Sequence, residues 1–419
     1  MLRRPSAGSI PTLLLRTRFR TSMLRPIVQL ATVLLPMLAL ALVGCGGGDG
    51  EAADPSSAPI KVGAVFDLTG PTSDVGTTYS EGIRGYVDWL NQRGGIDGRP
   101  IELLYQDYAY KVDQAEQLYS QFTGEDVVAF QGWGTGDTEA LRGRIADDHI
   151  PFMSASLSHV LGNPDEAPYN FLSGTSYTHQ IMIVLDWLVE NGKTGPVALM
   201  HNPSPFGLSP FQQGGQDYAR SLGIELIAHE MSRAATDYSA ELTRIAQSGA
   251  ETVVFQNTSG PVAVALKNAR DLGLDLNFAC LNWCTNEVLI ELAGEAAEGV
   301  LGSVIFAPPG EGVEGLEEAD AYLRSKNSSI DEKGLLYGQG WWVMALMTEG
   351  IRRAAESGEV TGESIKAALE TLDGYETGGV TAPVTYTPTD HRGIKGMRIF
   401  QVQDGKWAPL TGIRTATGT

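Results

Sequence analysis

The chain has 419 residues, 42% of them hydrophobic, with 30 basic against 50 acidic side chains and a net charge of −20. So acidic a body, without a Lys/Arg cluster, is repelled by nucleic acid and by anionic lipid, and nucleic acid is excluded as a partner. The folded part, about 360 residues, exceeds what one hydrophobic core usually serves, so two lobes are expected.

Residues 1–44 hold six arginines (Arg3, Arg4, Arg16, Arg18, Arg20, Arg25) and no acid. From Ile27 to Val43 only Gln29 and Thr32 break an apolar run, which closes as Leu42-Val43-Gly44-Cys45. A basic flank, an apolar stretch and small residues before a cut describe a secretory signal. The cysteine that follows matches a bacterial lipobox, so 1–44 reads as a lipoprotein signal peptide with Cys45 as the lipidated residue. A membrane-spanning anchor is the competing reading, but about 17 apolar residues stand at the lower limit for a span. The unusually long basic lead before the apolar run points to Met23, rather than Met1, as the true start. Residues 45–59, rich in Gly, Ala, Ser and Pro, cannot bury a core and read as a flexible tether. Without 1–44 the net charge is −26.

Folded chain begins near Ile60. Ile60–Phe66 is β-branched, apolar and bounded by Pro59 and the Thr69-Gly70-Pro71 turn, which predicts a strand. Ile83, Tyr86, Val87 and Leu90 fall at i, i+3, i+4, i+7 of a helix that Gly94-Gly95 ends. A strand at 101–105, a polar helix over 111–123, a strand at 127–130, a helix over 137–147 and a strand at 150–153 follow. Strands alternating with helices imply parallel pairing through right-handed crossovers. The rhythm restarts after 177 with the stripe Ile181, Val184, Leu185, Leu188. Strands are then expected at 196–200, 224–228, 252–256 and 276–280, and helices over 208–222, 237–248 and 261–272. Two polar helices (313–326, 361–371) flank a Trp/Met-rich one (335–353). A β-rich tail at 380–408 is expected to turn at Gly393.

Catalytic chemistry is not found. The six histidines (His149, His159, His179, His201, His229, His391) have no paired metal-ligand spacing, and neither a P-loop nor a G-x-S-x-G elbow occurs. Neither a metal nor a cofactor is called for. Gly132-Trp-Gly134-Thr-Gly136 follows a strand, but Asp137 stands where a dinucleotide fingerprint needs Gly or Ala. Such a turn exposes backbone N–H groups at a helix start, a ready anion site, or simply makes a tight turn. With Cys45 lipidated, Cys280 and Cys284 remain in an oxidising compartment, either as a disulfide across a non-helical turn or as two free buried thiols.

Several motifs occur in an order that carries a resemblance. Ile60-Lys-Val-Gly-Ala-Val, Leu68-Thr-Gly-Pro71, Asn91-Gln-Arg-Gly-Gly-Ile-Asp-Gly-Arg-Pro100, Gln106-Asp107, Tyr238-Ser-Ala-Glu-Leu-Thr-Arg-Ile245, Leu266-Lys-Asn-Ala-Arg-Asp-Leu-Gly-Leu274 and Leu292-Ala-Gly-Glu-Ala-Ala-Glu-Gly-Val300 resemble the leucine/isoleucine/valine periplasmic-binding family. The resemblance covers about 60–408. It implies an α/β, type I periplasmic-binding fold: two Rossmann-like lobes with parallel sheets, joined by three hinge crossings. Lobe 1 is then 60–177 with 306–380, and lobe 2 is 178–305 with 381–419.

Position by position, the resemblance puts a carboxylate cradle on Thr135, Ser156 and Ser158, and a closing aromatic on Phe206. It also marks three departures. Asn282 stands where the family holds an α-ammonium with a glutamate, Thr258 replaces a tyrosine, and Tyr177 replaces an acid. Trp133 and Trp283 are pocket residues or core. Asp67 is a displaced carboxylate or a turn cap. The function implied is that of an exported, lipid-anchored, monomeric solute-binding component of an ABC importer. Its partners are a small-molecule solute and permease subunits in the cytoplasmic membrane, and only the lipid anchor holds it to the membrane. A ligand-sensing receptor of the same fold, signalling to a membrane partner, is the alternative; a hydrolase lacks a nucleophile–base pair.

Overall fold

The computed structural model describes residues 58–232 and 235–417. The signal peptide, Cys45 and residues 45–57 of the tether lie outside the described residues. The first lobe alternates β1 (Ile60–Phe66), α1 (Ser73–Gln92), β2 (Ile101–Asp107), α2 (Val112–Thr123), β3 (Ala129–Gly132), α3 (Thr135–Asp148), β4 (Phe152–Ser154) and β5 (Asn170–Leu172). Its five strands are all parallel, in the order β2-β1-β3-β4-β5. β1 is buried along almost its whole length, as a strand covered on both faces must be.

The second lobe runs α4 (Tyr177–Glu190), β6 (Val197–His201), α5 (Pro205–Pro210), α6 (Gln216–Ser221), β7 (Leu226–Glu230), α7 (Ser239–Gln247), β8 (Thr252–Gln256), α8 (Ser259–Asp271), β9 (Asn277–Cys280), α9 (Glu287–Ala293) and β10 (Leu301–Val304). The chain then returns to lobe 1 as α10 (Glu317–Ser325), α11 (Ile330–Glu356) and α12 (Gly362–Leu369), with α11 packed along α1. It crosses back for β11 (Gly396–Gln403), β12 (Lys406–Pro409) and β13 (Arg414–Thr415). The second sheet is ordered β12-β11-β10-β9-β8-β6-β7, with β13 also on β11. Its β6–β10 part is parallel, and β11 joins antiparallel. The chain thus passes between the lobes three times, the first time from one sheet to the other and then to and from the helices α10–α12.

α11 opens with a capping box, Ser329 accepting from Glu332 N while the Glu332 carboxylate accepts from Ser329 N. It lies close on α1 because each helix offers glycine at the crossing. A Cβ on Gly82 would come within 2.1 Å of the Tyr337 carbonyl oxygen, and one on Gly340 within 2.0 Å of that of Tyr79. Either substitution would force the helices apart.

Several local expectations shift. The helix expected over 208–222 is split: Gln213 and Gly214 leave helical geometry, Gly214 at φ 120°, and a π turn over Phe211–Gly215 separates α5 from α6. The helix expected from 313 starts at Glu317, after two short 3₁₀ turns. The tail turns at Asp404-Gly405, not Gly393. Both residues have positive φ (51° and 70°), the signature of a two-residue type I′ hairpin between β11 and β12. β5 and β10 were not expected. The disulfide expected as one of two readings is absent: Cys280 and Cys284 are buried free thiols. Residues 282–284 form a 3₁₀ turn, and Cys284 Sγ is held against the Leu281 and Phe255 carbonyls.

Candidate functional site

Both parallel sheets point the carboxyl ends of their strands at the seam between the lobes, where α/β sheets bind ligands. Each expected site residue except Tyr177 lies just beyond such an end. Trp133 and Thr135 follow β3, and Ser156 and Ser158 follow β4. Phe206 follows β6, Thr258 follows β8, and Asn282 and Trp283 follow β9. Tyr177 starts α4, on the first crossing. A buried cavity gathers Trp133, Thr135, Tyr177, Phe206, Thr258 and Trp283, together with Thr72, Val75, Tyr110 and Gly134. No side chain lining it carries a charge.

Behind Thr135 on the lobe 1 side lies a knit of hydroxyls at the N-terminus of α3, in which Ser156, although expected at the site, stands outside the lining of the cavity. Thr135 Oγ1 and Ser156 Oγ lie 2.7 Å apart, and Ser154 Oγ accepts from Thr138 Oγ1 and from Ser156 N. The Trp133 indole N–H donates to Thr72 Oγ1, which in turn donates to Asp67 Oδ2. Asp67 also accepts from the amides of Gly70 and Thr72. It is the cap of the turn after β1 and takes no part in the cavity wall. Burial pushes the Tyr177 hydroxyl up to about 12, against opposing bonds from the Leu157 backbone, Trp283, Thr135 and Ser156. Asp137 closes the helix start, accepting from Gly134 N and the Tyr108 hydroxyl; burial pushes its carboxyl up to about 6.

Aromatic rings form the opposite side. The Trp133 and Trp283 rings meet edge to face at 5.1 Å across the seam, and Tyr79 packs against both. Tyr177 meets Phe206 at 5.5 Å, and its hydroxyl accepts from the Trp283 indole N–H at 2.9 Å. The lobes are shut upon one another. Asp74, in the first turn of α1, accepts at 3.0 Å from Gly260 N at the start of α8 on the other lobe. Burial raises the Asp74 carboxyl, an effect opposed by that amide. In this closed arrangement the cavity has about 250 Å³ free of atoms, of which about 20 Å³ is open to the centre of a water molecule.

Ser158 is not brought to the cavity, because its hydroxyl is held by Glu139 at 2.6 Å and by Gln213 of lobe 2 at 3.0 Å. Asn282 lies behind the wall, its backbone N–H donating to Gln180 Oε1. Its side-chain Nδ2 and Oδ1 are buried without partners. Thr72, Val75 and Tyr110 line the cavity without having been expected. The Thr69-Gly70-Pro71 turn was the signal for Thr72. Tyr110 had none, since its position depends on a left-handed residue after β2 (φ 57°).

Residues 59–406 match the profile of a family described as periplasmic binding protein. The chain belongs to that family. Its members bind solutes and are not enzymes, the family is exported, and substrate-binding proteins of ABC transporters deliver solute to permease components. A Leu/Ile/Val-binding protein homolog 2 of Brucella abortus is 25% identical over 64% of this chain and 70% of its own. A leucine-, isoleucine-, valine-, threonine- and alanine-binding protein of Pseudomonas aeruginosa is 21% identical over 74% and 82%. A branched chain amino acid ABC transporter from Thermus thermophilus, solved with bound valine, superposes at a TM-score of 0.82 with 29% identity, over 86% of this chain and 97% of that one. A fatty acid ABC transporter substrate-binding protein from Thermomonospora curvata shares the fold at a TM-score of 0.77 and 20% identity, over 86% and 93%. Among the described residues no helix is long and apolar enough to cross a membrane.

Proposed function

We propose that this periplasmic binding protein is the lipid-anchored solute receptor of an ABC importer, and that it takes a small carboxylate-bearing solute without a free α-ammonium. The observation that carries the reading is the polarity of the cavity. A hydroxyl cradle at a helix N-terminus faces an aromatic wall that has no charged side chain. Thr135, backed by Ser156, and the α3 amides suit a carboxylate, which such donors can neutralise without an arginine. Thr258 and Asn282, where the family's ammonium partners are expected, supply no counter-charge. An ammonium left there would cost several kcal/mol. Trp133, Trp283 and Phe206 suit a flat or branched apolar body. The relatives named for leucine, isoleucine and valine support the size of that body, and the missing acid argues for its keto-acid, aromatic-acid or amide counterpart.

In this reading the lobes, 60–177 with 306–380 and 178–305 with 381–419, open to admit the solute and close on it. Calorimetry with leucine against its keto acid, and phenylalanine against phenylpyruvate, tests the solute class. Preference for the acid in both pairs is expected; preference for both amino acids overturns it. The anchor rests on Cys45. Cys45→Ser is expected to free a folded protein from the membrane fraction, and quantitative retention would rule the anchor out.

A further inference from the structure

A second cavity, with about 620 Å³ free of atoms and about 300 Å³ open to the centre of a water molecule, lies where the chain passes between the lobes. His159 enters it from the turn after β4, His179 from α4, Gln213 from the π turn of lobe 2, and Asp390, Arg392 and Lys395 from the last crossing. Arg392 and Lys395 each reach Asp390 at 2.7 Å. The guanidinium also lies against His159 Nε2. A guanidinium only donates, so Nε2 is the acceptor of a neutral ring, and Nδ1–H donates to Ser176 Oγ at 3.0 Å. The His179 ring stands edge-on to His159 at 4.9 Å, 3% exposed, and its Nδ1 has no hydrogen-bond partner. Burial first, and Arg392 second, hold both imidazoles well below their ordinary range, at about 3 for His159 and about 4 for His179.

The wall therefore carries two fixed cations against one carboxylate, and two neutral imidazoles kept neutral in part by that surplus. A transition metal is a poor occupant. His159 has both ring nitrogens engaged, and among the described residues no group of three His, Cys, Asp or Glu is placed to hold one. An anion would complete the charge balance and supply acceptors to Arg392 and Lys395, whose charge-assisted bonds are the strong ones. We propose that this hinge cavity is a second binding site, for a small oxyanion such as inorganic phosphate. Because its wall comes from both lobes and two crossings, the bound anion ties together segments that move when the lobes part. Solute and anion then change one another's affinity by the same factor.

The test is a melting-temperature and calorimetric titration of the purified protein with millimolar phosphate or sulfate, with chloride at equal ionic strength as reference. A saturable response to phosphate or sulfate but not to chloride is expected. Lys395→Gln is the main variant, since Lys395 is half exposed and Asp390 keeps its bond to Arg392. It should weaken the anion about tenfold without moving the melting temperature in chloride. Arg392→Gln alone would be ambiguous, because the Arg392 stem packs on Gly162. A response no greater than that to chloride, or one that Lys395→Gln leaves unchanged, overturns the proposal.

Discussion

The two halves of the interlobe cavity are built differently. On lobe 1 the hydroxyls of the cradle answer one another, Trp133 to Thr72, Thr72 to Asp67, Thr135 to Ser156 and Ser156 to Ser154, although Asp74 Oδ1 and the Tyr79 hydroxyl at the same seam are buried without partners. On lobe 2, Thr258 Oγ1 in the cavity wall is buried without a partner, as are Asn202 Oδ1, Ser204 Oγ, Gln256 Oε1 and both side-chain polar atoms of Asn282 outside the lining. Buried polar atoms are normally satisfied, and each exception has a cost. The difference teaches that the hydroxyl cradle of lobe 1 is preorganised, whereas the strand ends of lobe 2 leave more of their buried polar atoms without partners.

Four substitutions would break or sharpen this contrast. The largest effect should come from Asp67→Ala, which strips the acceptor from the buried Thr72 amide and hydroxyl and from the part-buried Gly70 amide. A loss of about 3 kcal/mol in urea unfolding is expected, and a loss under about 0.5 kcal/mol would mean that the cradle is not held from below. Next, Thr135→Val removes a donor while nearly keeping shape. Solute affinity should fall about tenfold to a hundredfold, roughly 1–3 kcal/mol, whereas Thr135→Ser should be mild; unchanged binding by the valine variant would make Thr135 structural.

Asp137 is the exception within the ordered half, and it gives a pH test. Its carboxyl is raised from 3.8 to about 6 by burial. The folded state therefore favours the protonated form, and that stability is present below about pH 4 and lost as pH rises through about 6. Asp137→Asn should stabilise the protein by up to about 3 kcal/mol at pH 8 and by under about 1 kcal/mol at pH 4. Equal effects at both pH values would show that the carboxylate is not strained there. The smallest change is expected on lobe 2. Asn282→Leu removes an unpartnered amide from behind the cavity wall, so stability should hold or rise by about 1 kcal/mol. A marked destabilisation would mean that the amide already has the partner it needs.

Much of the fold was legible because its signals are local. β-branched runs located β1 and β8, and the stripe Ile83, Tyr86, Val87, Leu90 located α1. Six of the nine expected site residues line the cavity, and all of those but Tyr177 stand within a few residues of a strand end. What stayed hidden depends on partners distant in sequence. β5 and β10 are three- and four-residue strands, too short for a pattern and defined by the neighbours they pair with. Ser158 looked like a cradle residue until Glu139 and Gln213 claimed its hydroxyl. The π turn at 211–215 gave no periodic signal, because Gly214 breaks a helix whose apolar pattern continues past it. Nor did Cys280 and Cys284 reveal by spacing alone that a 3₁₀ turn would leave both as thiols.

The edge-to-face indoles of Trp133 and Trp283 have a practical consequence. They belong to different lobes, stand 5.1 Å apart and have no covalent reason to stay together. Two chromophores so close share excited states, and parting the lobes by a few ångströms uncouples them. The protein thus contains its own optical gauge: near-ultraviolet circular dichroism and intrinsic fluorescence should follow opening without any attached dye, and Trp283→Phe should silence the signal.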